Sequence, residues 1–125
     1  MEDLVKLGRA FVDDMQHQRG VEHVDDLYSE TAESIEAVIP PGRDVRIAKG
    51  RDAIKAKRQF WASTHEIHSL NAHGPFVHPP NRFAVQFDAD VTQISSGRNI
   101  KLSEIAVYTV EDGKIVREEF FMAPR

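Results

Sequence analysis

Two glutamates near the end of the chain could exchange protons with a bound molecule. Glu104 shares a strand face with Tyr108, and Glu118 shares one with Phe120. A carboxyl group in apolar surroundings has a raised pKa, which suits it to general acid–base catalysis near neutral pH. Alternatively, both carboxylates lie in water at the ends of the sheet or form ion pairs with basic neighbours such as Arg117.

Histidines form a second group of proton-transfer candidates, because imidazole titrates near neutral pH. His65 and His68 are separated by two residues. If Phe76 opposes Phe83 across the following turn, strand alternation places His68 on the inner face with Ala72. Alternatively, His68 is a hydrogen-bonded residue of the core or the rim. The spacing does not match the paired histidines of a zinc-binding helix, so we predict no metal site.

Aromatic side chains could line a pocket beside these groups. Trp61, the single tryptophan, lies on a stripe of a predicted helix that points at the sheet and also carries Ile54, Lys57, Arg58 and His65. Phe83 and Phe87 share one face of a cleanly alternating strand. Such residues either line a pocket or fill a core. The Tyr108 hydroxyl could donate to a ligand or to a neighbouring strand. We interpret the basic run at 55–58 as a solvated helix face.

The composition excludes several classes of protein. The chain has 125 residues, which suits a single domain over 1–125. The formal net charge is −4, which argues against a nucleic-acid partner, and the absence of cysteine excludes disulfides and thiolate chemistry. No basic stretch precedes an apolar run at the start, and no apolar run approaches the roughly 20 residues that span a bilayer. We therefore expect a cytoplasmic protein without a membrane partner.

The elements that must position these groups are helices first and strands afterwards. Apolar residues recur with a helical period over 4–15 and 21–28, and a third helix begins near Asp52. A short strand covers 33–39 and ends at the turn formed by 40–42. Four further strands are predicted at 67–77, 82–94, 100–110 and 115–122. Helices followed by an antiparallel meander indicate an α+β fold.

Three segments in this order resemble the SnoaL-like branch of the nuclear transport factor 2-like superfamily. They are 27–30 (LYSE), 49–54 (KGRDAI) and 111–121 (EDGKIVREEFF). The resemblance implies a strongly curved antiparallel sheet wrapped around three helices as a cone with an internal pocket. The superfamily includes isomerases, cyclases, dehydratases, epoxide hydrolases and binding proteins, so the fold alone does not identify a reaction.

The resemblance also implies positions for individual side chains. Glu104 and Glu118 would face the pocket from neighbouring strands. Glu36 lies where the ketosteroid isomerases of the superfamily carry their general base; alternatively, it lies in solvent at the end of a strand. However, Phe11 and Ala106 stand where those isomerases carry their hydrogen-bond donors. Without these donors an enolate lacks its electrostatic stabilisation, so we exclude ketosteroid isomerisation.

The predicted function is the binding of a small, largely apolar molecule, with cofactor-free acid–base catalysis of the isomerase, cyclase, dehydratase or hydrolase type. Glu104, Glu118 and His68 would transfer protons, since dehydratases of the superfamily also use pocket histidines. The residues expected to contact the ligand are Trp61, Tyr108, Glu36, Phe83, Phe87 and Phe120. The alternative is a non-catalytic ligand-binding or dimerisation module in which these side chains are structural.

The outer face of the sheet is predicted to form a homodimer. Ile105, Val107 and Phe121 alternate away from the candidate site residues and would be exposed in a monomer. A contiguous exposed apolar patch usually marks an interface, and the resemblance implies dimers through this face.

Overall fold

Three helices and six strands follow one another in the computed structural model, which describes residues 1–39 and 44–122. The elements in chain order are α1 (Glu2–Gln16), α2 (Val24–Leu27), β1 (Tyr28–Ile35), β2 (Ile47–Lys49), α3 (Arg51–Thr64), β3 (His65–His78), β4 (Arg82–Gln93), β5 (Arg98–Glu111) and β6 (Lys114–Met122). The β5–β6 turn holds Asp112 and Gly113 at positive φ, as the Asp-Gly sequence predicts. None of the described helices is both long and apolar enough to span a membrane.

The strands form one sheet in the order β2-β1-β6-β5-β4-β3. Strands β3 to β6 make an antiparallel meander, and β1 joins it by running parallel to β6. Register shifts interrupt β3 at two places, Ile67/Ser69 and His73/Phe76. Such irregularities bend a strand and increase its twist, which supports the curvature of an open cone. The predicted α+β cone is confirmed.

The core lies between the inner face of the sheet and the helices. α1 buries Leu4 and Phe11 against this face, and α3 buries Ile54. The inner-face pairs of β4 and β5 are Phe83–Tyr108, Val85–Ala106 and Phe87–Glu104. All of these apolar residues are buried, so the alternation of β4 read from the sequence identifies the core face.

A side chain of α1 closes part of the free edge of β3. The Gln16 amide donates to the Leu70 carbonyl at 3.0 Å, and the Ala72 N–H donates to the Gln16 side-chain oxygen at 2.9 Å. These two hydrogen bonds have the same donor–acceptor pattern as the backbone bonds between neighbouring β-strands. It anchors the C-terminal end of α1 to the sheet and satisfies backbone groups that an edge strand leaves open.

Two predicted details are wrong. β1 begins at Tyr28 and ends at Ile35, earlier than the predicted strand over 33–39, because β1 starts pairing with β6 at Tyr28. Phe83 is opposed by Val77 instead of Phe76, which faces outward opposite Ala84. The predicted turn at 40–42 lies outside the described residues.

Candidate functional site

A fully buried glutamate, Glu118 of β6, forms the centre of a polar cluster on the inner face. It lies between Ser34 of β1 and Tyr108 of β5 in the sheet register. Its Oε1 accepts from the Tyr28 hydroxyl and from Arg58 Nη2 at 3.1 Å, and its Oε2 accepts from Ser34 Oγ at 2.6 Å. Both carboxylate oxygens are therefore occupied by donors.

These donors keep Glu118 ionised despite its burial. Burial acts to raise the pKa of Glu118, but the positive charges of Arg58 and Lys57, together with the hydroxyl donors, outweigh it and lower the pKa below its ordinary value. An ionised carboxylate that is saturated with donors is a poor proton carrier. Glu118 instead holds the side chains of Lys57 and Arg58 in place.

Arg58 connects this cluster to the helical layer. Its Nη2 also donates to the Tyr28 hydroxyl at 2.5 Å, and its Nη1 donates to the Gly20 carbonyl at 3.1 Å. The guanidinium lies 5.1 Å from the centre of the Tyr28 ring. One side chain of α3 therefore fixes β1, β6 and the connection between α1 and α2 relative to one another.

Lys57 is the second cation of the cluster. Its Nζ donates to Ser34 Oγ and to Glu36 Oε1, both at 2.5 Å, and lies 3.9 Å from Glu118 Oε2. The ammonium also lies 5.0 Å from the centre of the Phe120 ring. Glu36, a predicted ligand contact, is thus the ion-pair partner of Lys57.

Glu104 of β5 differs from the other acids of the cluster. It lies on the inner face opposite Phe87, is half-buried, and has no hydrogen bond or ion pair in the described part of the chain. Burial first, and then the negative charges of Glu36 and Glu118, raise the pKa of Glu104 to about 7, although Lys57 opposes the rise. The Glu104 carboxyl can therefore hold or release a proton near neutral pH.

The aromatic candidates divide into two groups. Phe83, Phe87 and Tyr108 are buried in the core, where the Tyr108 ring packs 4.4 Å from Phe11 and 4.9 Å from Phe83. The Tyr108 hydroxyl has no hydrogen-bond partner among the described residues. Burial raises the pKa of Tyr108 well above its ordinary value, so its phenol stays protonated. Trp61 is only half-buried.

His68 lies on the opposite face of the sheet from Glu104 and Glu118, so its predicted inward placement is wrong. The register shift between Ile67 and Ser69 reverses its direction. Its side chain is exposed and its Nε2 lies 2.7 Å from Thr92 Oγ1. His68 therefore takes no part in this cluster.

His65 occupies the inner face instead. Its register partner is Gln93, which shares the inner face with Val91, and its ring stacks on Trp61 with the centroids 4.5 Å apart. Its Nδ1 lies 3.0 Å from the Trp61 carbonyl. Among the described residues, no three His, Asp or Glu side chains converge as a metal site.

The interpretation of the basic run as a solvated face is also wrong for two of its members. Lys55 points outward and pairs with Asp25 at 3.0 Å, whereas Lys57 and Arg58 point inward. The signal was present in the sequence, because Lys57 and Arg58 fall three and four residues after the buried Ile54. Charge alone suggested solvent, while the helical period indicated the core side.

Comparisons with known proteins agree with this architecture. A family model described as SnoaL-like domain matches residues 6–122. A solved structure from Mesorhizobium loti, described as a candidate SnoaL-like polyketide cyclase, superposes with a TM-score of 0.84 at 28% identity over 93% of this chain and 96% of that one. A comparison with curated proteins finds no match.

More distant structures show the fold alone. A candidate isomerase from Bacillus subtilis has a TM-score of 0.75 at 22% identity, covering 98% of this chain and 88% of that one. A phenazine biosynthesis-related protein from Pseudomonas aeruginosa has a TM-score of 0.69 at 18% identity, covering 98% of this chain and 82% of that one. With the family match over nearly the whole sequence, the chain belongs to the SnoaL-like family of the nuclear transport factor 2-like superfamily.

Proposed function

We propose that this protein binds a small, largely apolar molecule at the inner face of the sheet and transfers a proton on it through Glu104. The observation that carries the proposal is the state of this carboxyl group: half-buried, without a described partner, and with its pKa raised to about 7. A general acid–base group works best when its pKa lies near the working pH. Phe120, which is only partly buried, supplies apolar surface on the same face.

The reaction class that suits this group is proton transfer at a carbon next to a carbonyl. The Glu104 carboxylate takes the proton from carbon, the electron pair moves onto the carbonyl oxygen, and the carboxylic acid returns the proton at the same or another position. This sequence needs no oxidant or reductant. The description of the Mesorhizobium loti protein as a candidate polyketide cyclase supports a substrate that carries carbonyl groups.

The remaining acids serve the site indirectly in this proposal. Glu118 holds Lys57 and Arg58 through its buried oxygens, and Glu36 holds Lys57 from the other side. These are positioning roles, because neither carboxylate is free of donors. Glu104 is the acid that we assign to proton transfer.

The test is exchange of carbon-bound hydrogen for deuterium. A panel of bicyclic ketones that includes 2-tetralone is incubated in D₂O, and loss of the signal of the protons next to the carbonyl is followed by ¹H NMR. Wild-type protein should accelerate exchange, with a rate that rises through pH 7 as Glu104 ionises. Glu104→Gln should abolish the acceleration, and Glu66→Gln, an exposed glutamate of β3, should preserve it. Equal rates for Glu104→Gln and wild type would contradict the proposal.

A second proposal, homodimerisation, follows from the outer face of the sheet. Ile105 and Phe121 are register partners there with 46% and 49% of their surfaces exposed, and Phe76 on β3 is 59% exposed. An apolar patch of this kind fits a second copy of the chain. Assembly through this face is also what the alternative of a non-catalytic dimerisation module requires.

The charges around the patch support a twofold arrangement. On the outer face of β4, Arg82 lies at one end and Asp88 and Asp90 lie towards the other. A twofold axis near the middle of the strand would place the basic end of one copy over the acidic end of the other. Sedimentation velocity should show a dimer that Phe121→Lys converts to monomer, while Phe60→Lys, on an exposed position of α3, leaves it intact. A monomeric wild-type protein at micromolar concentration would contradict this assembly.

A further inference from the structure

Lys57 has one more hydrogen-bond donor than the described residues accept. A lysine ammonium carries three N–H groups. Ser34 Oγ and Glu36 Oε1 each accept one at 2.5 Å. Glu118 Oε2, at 3.9 Å, is too distant for a hydrogen bond. One N–H of Lys57 is therefore without an acceptor in the part of the chain that the structure describes.

The ammonium also faces the part of the inner sheet that carries Glu104, whose pKa its positive charge acts to lower. Lys57 Nζ lies over the ring of Phe120, whose register partner is Ala106. The next inner-face pair along the same two strands is Glu104 with Met122. The Lys57 side chain keeps 17% of its surface exposed, in contrast to the fully buried Glu118. Lys57 can therefore reach a molecule that lies against Glu104.

We infer that Lys57 donates its third N–H to an oxygen of the ligand while Glu104 exchanges the proton on the neighbouring carbon. This inference rests on the function proposed for Glu104 and adds the residue that stabilises the developing charge. When the C–H bond breaks, the proton moves to the Glu104 carboxylate and the electron pair moves to the carbonyl oxygen. The Lys57 ammonium then faces a full negative charge, which is where a preorganised donor contributes most.

The net charge of the cluster indicates which class of substrate it can bind. Lys57 and Arg58 are matched by Glu36 and Glu118, and Glu104 adds a third carboxyl. The cluster therefore has no surplus positive charge with which to hold a carboxylate ligand. It fits a neutral molecule with an apolar body and a ketone, enol or phenol oxygen.

A phenol is a stable analogue of the enol and tests this assignment directly. The absorbance of 4-nitrophenol reports its ionisation, so its apparent pKa can be measured while it is bound to saturating protein. Lys57→Met should raise this pKa by at least about one unit, a tenfold loss of preference for the phenolate. Lys57→Arg should restore most of the effect, and Lys55→Met, an outward lysine of the same helix, should leave the wild-type value unchanged.

Loss of Lys57 also leaves Glu36 without its partner, and that carboxylate could raise the phenol pKa from a distance. The double variant Glu36→Gln with Lys57→Met removes both charges together. A raised phenol pKa in the double variant supports direct donation by Lys57, whereas the wild-type value in the double variant overturns it. Failure of wild-type protein to bind 4-nitrophenol, or binding of 2-naphthoate as tightly as 2-naphthol, would also overturn the inference.

Two measurements keep the inference separate from the proposed function. ¹⁵N NMR of the Lys57 ammonium in wild-type protein, with and without 4-nitrophenol, needs no variant to fold, and an unchanged signal would overturn the contact. If deuterium exchange depends on Glu104 but the phenol pKa is the same in wild type and Lys57→Met, the role of Lys57 alone is overturned. A phenol pKa that depends on Lys57, without any ketone exchange by wild-type protein, would overturn the proposed function alone.

Discussion

Replacing Glu104 by glutamine should make the stability of the protein less dependent on pH. The pKa of Glu104 is about 7 in the folded protein, against an ordinary value of 4.5. The folded state therefore keeps a proton that the unfolded chain releases between these values. When the folded state binds more protons than the unfolded state, a rise in pH lowers the stability. Glu104 therefore makes wild-type protein lose stability from about pH 4.5 to above pH 7.

The size of this loss follows from the shift itself. The difference between 7 and 4.5 is about 2.5 pKa units, and each unit corresponds to 1.36 kcal/mol. The contribution of Glu104 to the free energy of unfolding should thus fall by about 3 kcal/mol across this range. Glu104→Gln has no charge to desolvate, so its free energy of unfolding should lack this decrease.

Urea unfolding followed by circular dichroism measures the effect at a series of pH values from about 4 to 8.5. The difference between Glu104→Gln and wild type should grow with pH and level off above pH 7. Any constant offset from the amide itself cancels when the two pH profiles are compared. Glu66→Gln, at an exposed position, should follow the wild-type profile. A difference between Glu104→Gln and wild type that stays constant over the whole range would refute the reasoning, because Glu104 would then titrate at its ordinary pKa.

Other changes test the role of Glu118, the packing of α1 and the face of β3 on which His68 lies. Glu118→Ala leaves Arg58 buried without its carboxylate and should cost about 3–5 kcal/mol in urea unfolding, whereas Glu119→Ala, at an exposed ion pair, should cost about 1 kcal/mol or less. Gly8→Ala would place a Cβ 2.7 Å from the Pro75 ring and should destabilise by about 1–3 kcal/mol, despite the better helix propensity of alanine. His68→Gln should change stability by no more than about 0.5 kcal/mol and should leave the binding of 4-nitrophenol unchanged, because the side chain lies on the outer face. Weakened binding would show that His68 points to the inner face of β3.

Strand alternation is a local property, and this explains which parts of the site could be read from the sequence. Each side chain of a regular strand points away from its two neighbours, so Glu104 could be grouped with Tyr108, and Glu118 with Phe120, without any tertiary information. Alternation groups the residues of each strand by face, and the resemblance to the family indicated which face of β5 and β6 points inward, as the register shows. Three short segments and their order were sufficient to indicate the family, which the match over residues 6–122 confirms.

The same local rule fails for β3, because a single irregularity reverses every side chain that follows it. The register shift after Ile67 turns His68 outward, and the second shift, between His73 and Phe76, places Phe76 outside. Alternation in the sequence does not reveal an inserted residue, since the residues on both sides of it still look like a strand. Only the pairing with β4 shows where the phase changes.

The sequence by itself determined the fold class, the family and the strand faces of the two glutamates, because hydrophobic periodicity and turn chemistry act over a few neighbouring residues. Tertiary structure decided what each carboxyl group does. Glu118 became an anchor because Tyr28, Ser34 and Arg58, from distant parts of the chain, all reach it. Glu104 remained unpaired and titratable because no described donor reaches it. The protonation of a buried group depends on the charges and donors that packing brings around it, and those partners are not neighbours in sequence.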